Sequence, residues 1–266
     1  MRLSISSWCY HNLGQEEAFR NIAGFGVEGI EIVTHPPASH VNENSTREQI
    51  DHVKKLLKDL ELTICAISPA TEFLQFDQEH MEAEIQHVYK VLDLCIRLGV
   101  DHVRIFAGGK IPQDRTLKDC IDAVVYGLKR SAQYAQAKGI KLSVENHGQF
   151  GRTFDLFKEV MDAVPEVGVT LHTSGIERMT DDYLGMVEYF APRIVHTHLN
   201  DGVRVGEIFE ARALGQGVLD FPAIFNILED AGYSGYYNLE YGPSSFNGDP
   251  TNIIQASLAY LRANVS

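Results

Sequence analysis

One phrase recurs along this chain: a helical segment ends near a glycine, and a short run of β-branched residues follows at once. It appears as Gly26-Val27-Glu28-Gly29-Ile30-Glu31-Ile32-Val33, as Gly99-Val100-Asp101-His102-Val103-Arg104-Ile105, as Gly139-Ile140-Lys141-Leu142-Ser143-Val144-Glu145, and as Gly232-Tyr233-Ser234-Gly235-Tyr236-Tyr237-Asn238-Leu239-Glu240. Glycine takes the left-handed conformation that ends a helix, so the phrase marks a helix-to-strand junction. Hydrophobic periodicity around these junctions predicts strands at 3–8, 28–33, 62–68, 102–106, 140–145, 167–172, 193–199 and 236–240. Helices are predicted at 15–25, 46–60 behind the Ser45-Thr46 cap, 77–98, 116–138, 154–164, 181–190, 221–231 and 251–263. In the helix over 77–98, Ile85, Val88, Leu92, Cys95 and Ile96 form one apolar stripe.

Eight strands alternating with eight helices imply a parallel sheet with right-handed crossovers. That number of units in a chain of 266 residues is the count of a (β/α)8 TIM barrel, an α/β fold, read here as one domain over 1–266. The rival is an open doubly wound sheet. It usually carries a glycine-rich phosphate loop after its first strand, and none follows Trp8. No Pro-, Gly- or Ser-rich linker divides the sequence.

A formal net charge of −13 excludes broad classes of partner. Nucleic acid needs a basic face, and anionic membrane does too. No apolar run is long enough to span a bilayer. The cysteines Cys9, Cys65, Cys95 and Cys120 form no C-x-x-C pair and read as small core residues. Free thiols suit a reducing compartment, and Met1-Arg2-Leu3-Ser4 leads straight into a strand, so the expected setting is cytoplasmic.

Barrel active sites lie at the carboxyl ends of the strands. There the sequence places Val144-Glu145-Asn146-His147-Gly148, Leu171-His172-Thr173-Ser174-Gly175, His196-Thr197-His198-Leu199-Asn200-Asp201 and Leu239-Glu240-Tyr241-Gly242. His196 and His198 alternate with Thr197, so both imidazoles share one face of their strand, and Asn200, Asp201 and Gly202 end it. A single strand-end glutamate is usually a solvated loop residue, and a single histidine in an apolar strand usually a core residue. Glu145, His172, His198 and Glu240 on four successive strands instead read as metal ligands. Two carboxylates and two imidazoles suit Mn2+ first, or Zn2+, Co2+, Fe2+ or Mg2+, better than calcium.

These motifs, with Gly215-Gln216-Gly217-Val218-Leu219-Asp220-Phe221, Ser6-Ser7-Trp8 and Gly29-Ile30-Glu31, resemble the sugar phosphate isomerase/epimerase superfamily, the xylose isomerase-like TIM barrels that also include endonuclease IV. The resemblance spans essentially the whole chain. It implies a divalent metal held by Glu145, residue 172, His198 and Glu240, with His196 outside the ligand set. It also implies a dual role for Glu145 and Glu240 as ligands and acid/base groups. Position 172 departs from the family pattern: an aspartate is usual there, and this chain has His172-Thr173-Ser174-Gly175. The histidine such proteins often carry three residues further on is absent at Gly175 or Ile176. Endonuclease-type repair is disfavoured, because Ile67-Ser68-Pro69 and Phe106-Ala107-Gly108 supply none of the extra histidines of a three-metal cluster.

The implied activity is metal-dependent isomerisation or epimerisation of a keto-sugar or related polyol. A proton next to a carbonyl is removed through a metal-stabilised enediolate. The resemblance puts Arg204 against substrate oxygens. His147, Glu31 and Trp8 are expected to line the substrate pocket, with Phe73, Phe76 and Phe106 as an apolar wall. A lyase or dehydratase acting on a keto-sugar, keto-inositol or keto-glycoside shares the same first step. A third reading is a non-catalytic sugar-binding or partner subunit whose site has decayed at His172. Enzymes of this kind are often homo-oligomers, but no stretch of the sequence marks an interface.

Overall fold

A computed structural model describes residues 1–38, 40–151, 153–205, 208–242 and 248–265. The strands are β1 (Arg2–Ser6), β2 (Gly29–Val33), β3 (Thr63–Ser68), β4 (His102–Phe106), β5 (Lys141–Glu145), β6 (Gly168–His172), β7 (Ile194–His198), β8 (Asp201–Val205), β9 (Ile208–Arg212) and β10 (Tyr236–Leu239). The helices are α1 (Gln15–Ala23), α2 (Arg47–Asp59), α3 (Gln78–Leu98), α4 (Leu117–Ala137), α5 (Gly148–Gly151), α6 (Phe154–Ala163), α7 (Tyr183–Phe190), α8 (Phe221–Asp230) and α9 (Thr251–Asn264). Eight strands form one parallel sheet in the order β10-β1-β2-β3-β4-β5-β6-β7. The order runs sequentially around the sheet, and helices cover its outside, as the alternating pattern predicts for a (β/α)8 barrel.

The junction glycines behave as the recurring phrase requires. Gly26, Gly99, Gly139 and Gly232 have φ of 66°, 80°, 68° and 76°, where a β-carbon is disfavoured. Gly99 ends α3, and the Asp77 side chain begins it by accepting from the amides of Glu79 and His80. Capping boxes at Thr46–Gln49 and Thr116–Asp119 start α2 and α4. Met81, Ile85, Val88, Leu92 and Cys95 of α3 are buried, but Ile96 is 50% exposed. The predicted stripe is corrected there: Ile96 follows Cys95 by a full 100° turn and passes off the core-facing side. All four cysteines are buried and free.

The sheet closes at one seam, between β7 and β10. Its lacing is short. A single bridge pairs Leu199 with Leu239, with Leu199 N donating to Asn238 O at 2.7 Å and Glu240 N to Leu199 O at 3.2 Å. Below it, the Thr197 hydroxyl stands in for a backbone partner. It donates to Tyr236 O and accepts from Asn238 N. Elsewhere the strands approach closely: a β-carbon on Gly29 would lie 2.5 Å from the Tyr236 ring and 2.7 Å from Ser4 Cβ.

Two local features differ from the predicted pattern. The first strand stops at Ser6, and Ser7–Tyr10 form a 3-10 turn whose start is capped by the Ser6 hydroxyl. Trp8 is therefore on a rim turn rather than a strand. The barrel strand ends at His198, and Asp201 opens the antiparallel hairpin β8–β9, paired from Asp201↔Arg212 to Val205↔Ile208. The buried Asp201 carboxylate accepts from the amides of Gly202, Gly215 and Gly217 and ties the hairpin to the following loop. Among the described residues no helix is long and apolar enough to cross a membrane.

Candidate metal centre

Alternation along the strands decides which side chains meet inside the barrel. Glu145 is the last residue of β5, His172 of β6 and His198 of β7, and Glu240 directly follows β10. His172 and His198 are register partners across β6 and β7, so their rings meet edge to face with centroids 6.0 Å apart. His172 Nδ1 is 2.9 Å from Glu145 Oε1 and 3.3 Å from Glu240 Oε2. His198 Nδ1 is 3.1 Å from Glu145 Oε2 and 3.1 Å from Glu240 Oε2. One donor atom from each of the four residues lies within 4.8 Å of the others, and all four residues are buried.

The chemistry of these atoms tests whether a cation fits. Glu145 Oε2, His172 Nδ1 and His198 Nδ1 are buried without an aligned hydrogen bond. Buried polar atoms are nearly always hydrogen-bonded, so three unsatisfied lone-pair donors converging on one point need an electrophile. The set fits a divalent metal ion, for which two carboxylates and two imidazoles are ordinary ligands.

The rim is held by amide side chains. Asn146 donates to His172 O and accepts from His172 N, so the end of β5 fixes the end of β6. Asn200 donates to Glu240 O at 3.0 Å, which joins β7 to β10 across the seam. Thr173 Oγ1 donates to Asn200 O and accepts from Asn200 N.

Electrostatics follow from this crowding. Burial alone would raise the carboxylates, but the Arg104 guanidinium and the His198 ring hold Glu145 well below its usual range. Against the same burial penalty, His198 and His172 bring Glu240 down to about 2. Burial opposes the protonated form of His198, yet Glu240, Glu31 and Glu145 outweigh it and raise that imidazole well above 6.5. Burial opposes the protonated form of His172 too, but the adjacent Glu145 and Glu240 carboxylates outweigh it and raise this imidazole.

Glu31 is not among the residues lining the cavity above the cluster. It sits inside β2, two residues before the strand end, and is fully buried one layer below the rim. Its Oε2 lies 2.6 Å from His198 Nε2 and 2.8 Å from His196 Nε2, and Ser6 Oγ donates to its Oε1. His196 thus lies below the ligand layer and contacts Glu31.

A cavity of about 360 Å3 opens above the cluster. Trp8, His147 and Phe106 line it, with His35, Asn200 and Phe209. Larger clefts of about 520 Å3 beside His40 and 460 Å3 at the opposite end of the barrel lie away from the chemistry. Arg204 is on β8, with Nε 4.0 Å from Glu177 Oε1, and does not line the cavity. The hairpin contributes Phe209 from β9 in its place. Of the expected aromatic wall only Phe106 is present. Phe73 is fully buried against Gly127 of α4, and Phe76 lies beneath Arg115.

Sequence reasoning missed Arg104. Its Nε is 2.9 Å from Glu145 Oε2, its Nη2 4.0 Å from Glu240 Oε1, and its guanidinium lies over the Phe106 ring at 4.1 Å. The signal was there: in His102-Val103-Arg104-Ile105-Phe106 a cation alternates with apolar residues, on the face shared by His102 and Phe106.

Comparison with known proteins agrees with the barrel fold. Over 157 residues the chain is 29% identical to an inosose dehydratase of Glaesserella parasuis serovar 5 (strain SH0165), covering 51% of this chain and 52% of that protein. The chain spans about half the length of the curated relatives it matches. Its fold is that of an L-ribulose 3-epimerase (TM-score 0.81, 19% identity, 99% of this chain and 94% of that one). It is also that of the 3-keto-D-glucoside 4-epimerase of E. coli (TM-score 0.78, 18% identity, 99% of both chains). The family model described as xylose isomerase-like TIM barrel matches residues 19–264, and the chain belongs to that family.

Proposed function

We propose that this one-domain barrel is an isomerase or epimerase of a keto-sugar or related keto-polyol. The observation that carries the reading is the convergence of Glu145 and Glu240 with two imidazoles at the floor of a cavity. A divalent ion bound there, Mn2+ first by ligand type, stabilises the negative charge that develops on the substrate's carbonyl oxygen. Glu145 and Glu240 approach the cavity floor from β5 and β10, on opposite sides of the β6–β7 pair. One carboxylate removes the proton next to the carbonyl, and the other returns one to the opposite face. His147 and Trp8 contact the substrate from the wall, and Phe106 and Phe209 exclude water from it. The four buried, free cysteines suit a reducing cytoplasm.

A second reading is dehydration, favoured by the match to inosose dehydratases over about half the chain. It shares the proton abstraction and differs in the fate of the enolate. Retention of both glutamates speaks against a decayed binding subunit. NMR of a keto-sugar and keto-inositol panel in D2O, with Mg2+ or Zn2+ added, separates these outcomes. Deuterium entering next to the carbonyl with the formula unchanged supports the epimerase, and loss of water supports the dehydratase. A chain that binds neither Mn2+ nor Zn2+ sinks both.

A further inference from the structure

Arg104 is the one permanently cationic side chain in the wall of the cavity among the described residues. Its side chain is 3% exposed, and its plane is fixed from three sides. Phe106 stacks on one face, Nη1 reaches Pro69 O at 3.4 Å, and Nε abuts Glu145. That Nε makes no aligned hydrogen bond even though Glu145 Oε2 is 2.9 Å away. A buried guanidinium with unspent donors is costly unless it meets an acceptor.

The groups around it sharpen what that acceptor must be. Around the cavity floor the carboxylates of Glu31, Glu145 and Glu240, one guanidinium and a divalent ion sum to zero. An aspartate at 172 would make that sum negative and repel an anion; His172 keeps it neutral. Glu31 lies behind the His198 ring, bonded to His196, His198 and Ser6, and does not reach the cavity. In the wall Ser174, Asn200, His35 and His147 can take hydroxyl hydrogens, while Glu145 and Glu240 are committed to the ligand cluster. Trp8, like Arg104, has a side chain that can only donate. A neutral polyol presents hydroxyl hydrogens that need acceptors. A carboxylate presents only lone pairs, and its fork matches a guanidinium plane.

We infer that Arg104 is a specificity-determining residue that selects an anionic substrate, a keto-polyol carrying a carboxylate. This rests on the metal-dependent reading proposed above. The carboxylate lies against the Arg104 fork while the keto and hydroxyl oxygens face the ligand cluster. Selection belongs to the metal-loaded protein, because the bound ion supplies positive charge next to the Arg104 fork.

The test uses the full chain and two separate measurements. Zn2+ binding is first measured by competition with a chromophoric chelator. Calorimetry on the Zn2+-loaded protein then compares matched acids and neutral analogues: D-fructuronate with D-fructose, D-glucuronate with D-glucose, and quinate with myo-inositol. The expected result is a preference of about tenfold or more for the acid in at least one pair, the order of one charge-assisted contact. Arg104→Met should bind Zn2+ and lose the preference. Arg104→Lys, which keeps the charge without the fork, should retain part of it and covers the case in which the methionine variant does not fold. Failure to bind Zn2+ overturns the metal reading and this inference with it. Zn2+ binding with no acid favoured in any pair, or with the preference intact in both variants, overturns this inference alone.

Discussion

His198 is held at both ring nitrogens: Nδ1 faces Glu145 and Glu240 at 3.1 Å each, while Nε2 lies 2.6 Å from Glu31 Oε2. A carboxylate behind a metal-binding imidazole fixes the tautomer and ring orientation and strengthens the donor nitrogen. Glu31→Gln is therefore expected to weaken Zn2+ binding by about 10- to 100-fold while leaving the fold intact. Chelator competition measures this, and unchanged affinity would remove Glu31 from the site.

Glu240 and Glu145 both line the cavity, and Arg104 packs closest to Glu145. Glu240→Gln keeps the shape and one oxygen donor but cannot accept the proton. Turnover of any identified substrate should fall by roughly 10²- to 10⁴-fold, the usual worth of a positioned acid/base group. Residual solvent exchange at the wild-type rate would assign that role elsewhere.

At position 172, His172→Asp exchanges a borderline nitrogen donor for a hard oxygen. The ratio of Mn2+ to Zn2+ affinity should rise, because carboxylates suit Mn2+ and imidazoles suit Zn2+. Paired titrations of the two ions read the ratio. An unchanged ratio would mean that His172 is not a ligand.

Stability should depend on pH in a way that reverses when the ion is added. In the ion-free chain, His198 and His172 hold protons more tightly than ordinary imidazoles do. Their contribution is complete below the unfolded value of 6.5 and is lost as pH rises through the raised folded values. Glu145, Glu31 and Glu240 have depressed values, so they contribute above 4.5 and fail as pH falls, for Glu240 through about 2. With chelator present, Tm should peak between those limits and decline on the alkaline side. Zn2+ replaces the imidazole protons, so its stabilising effect should grow with pH. Thermal melts across pH with Zn2+ and with chelator test this, and a Zn2+ effect that shrinks with pH would contradict it.

Gly29→Ala tests the packing between β1, β2 and β10, where an added carbon meets the Tyr236 ring and Ser4 Cβ. Overpacking of this kind costs about 1–3 kcal/mol, and each kcal/mol lowers Tm by roughly 2–4 °C in a chain of this size. An unchanged Tm would show that the Tyr236 ring swings aside.

The barrel was legible because its signals are local. Each junction glycine and each β-branched run sits in one short window of sequence, and helix ends such as Asp77 and Thr46 carry their caps with them. The four rim residues were legible because strand ends in a barrel converge by construction. What the sequence hid was depth and direction. Glu31 and Glu145 each sit on a short buried strand, yet two residues of offset place one beneath the floor and the other in it. Arg104 was passed over because a cation in an apolar strand has no meaning until β5 lies beside it. The β8–β9 hairpin is absent from the predicted strands, because Asp201-Gly202 signals a turn and the chain beyond it is held by the tertiary anchor at Gly215 and Gly217.

The seam between β7 and β10 separates His198 from Glu240. An ion gripped by both is a rivet through the barrel's lightly laced join, as well as a participant in chemistry. Stripping it should leave most of the wall protected from hydrogen exchange while the amides of Leu199 and Glu240 begin to open, so the breathing of a single join would report whether the site is loaded.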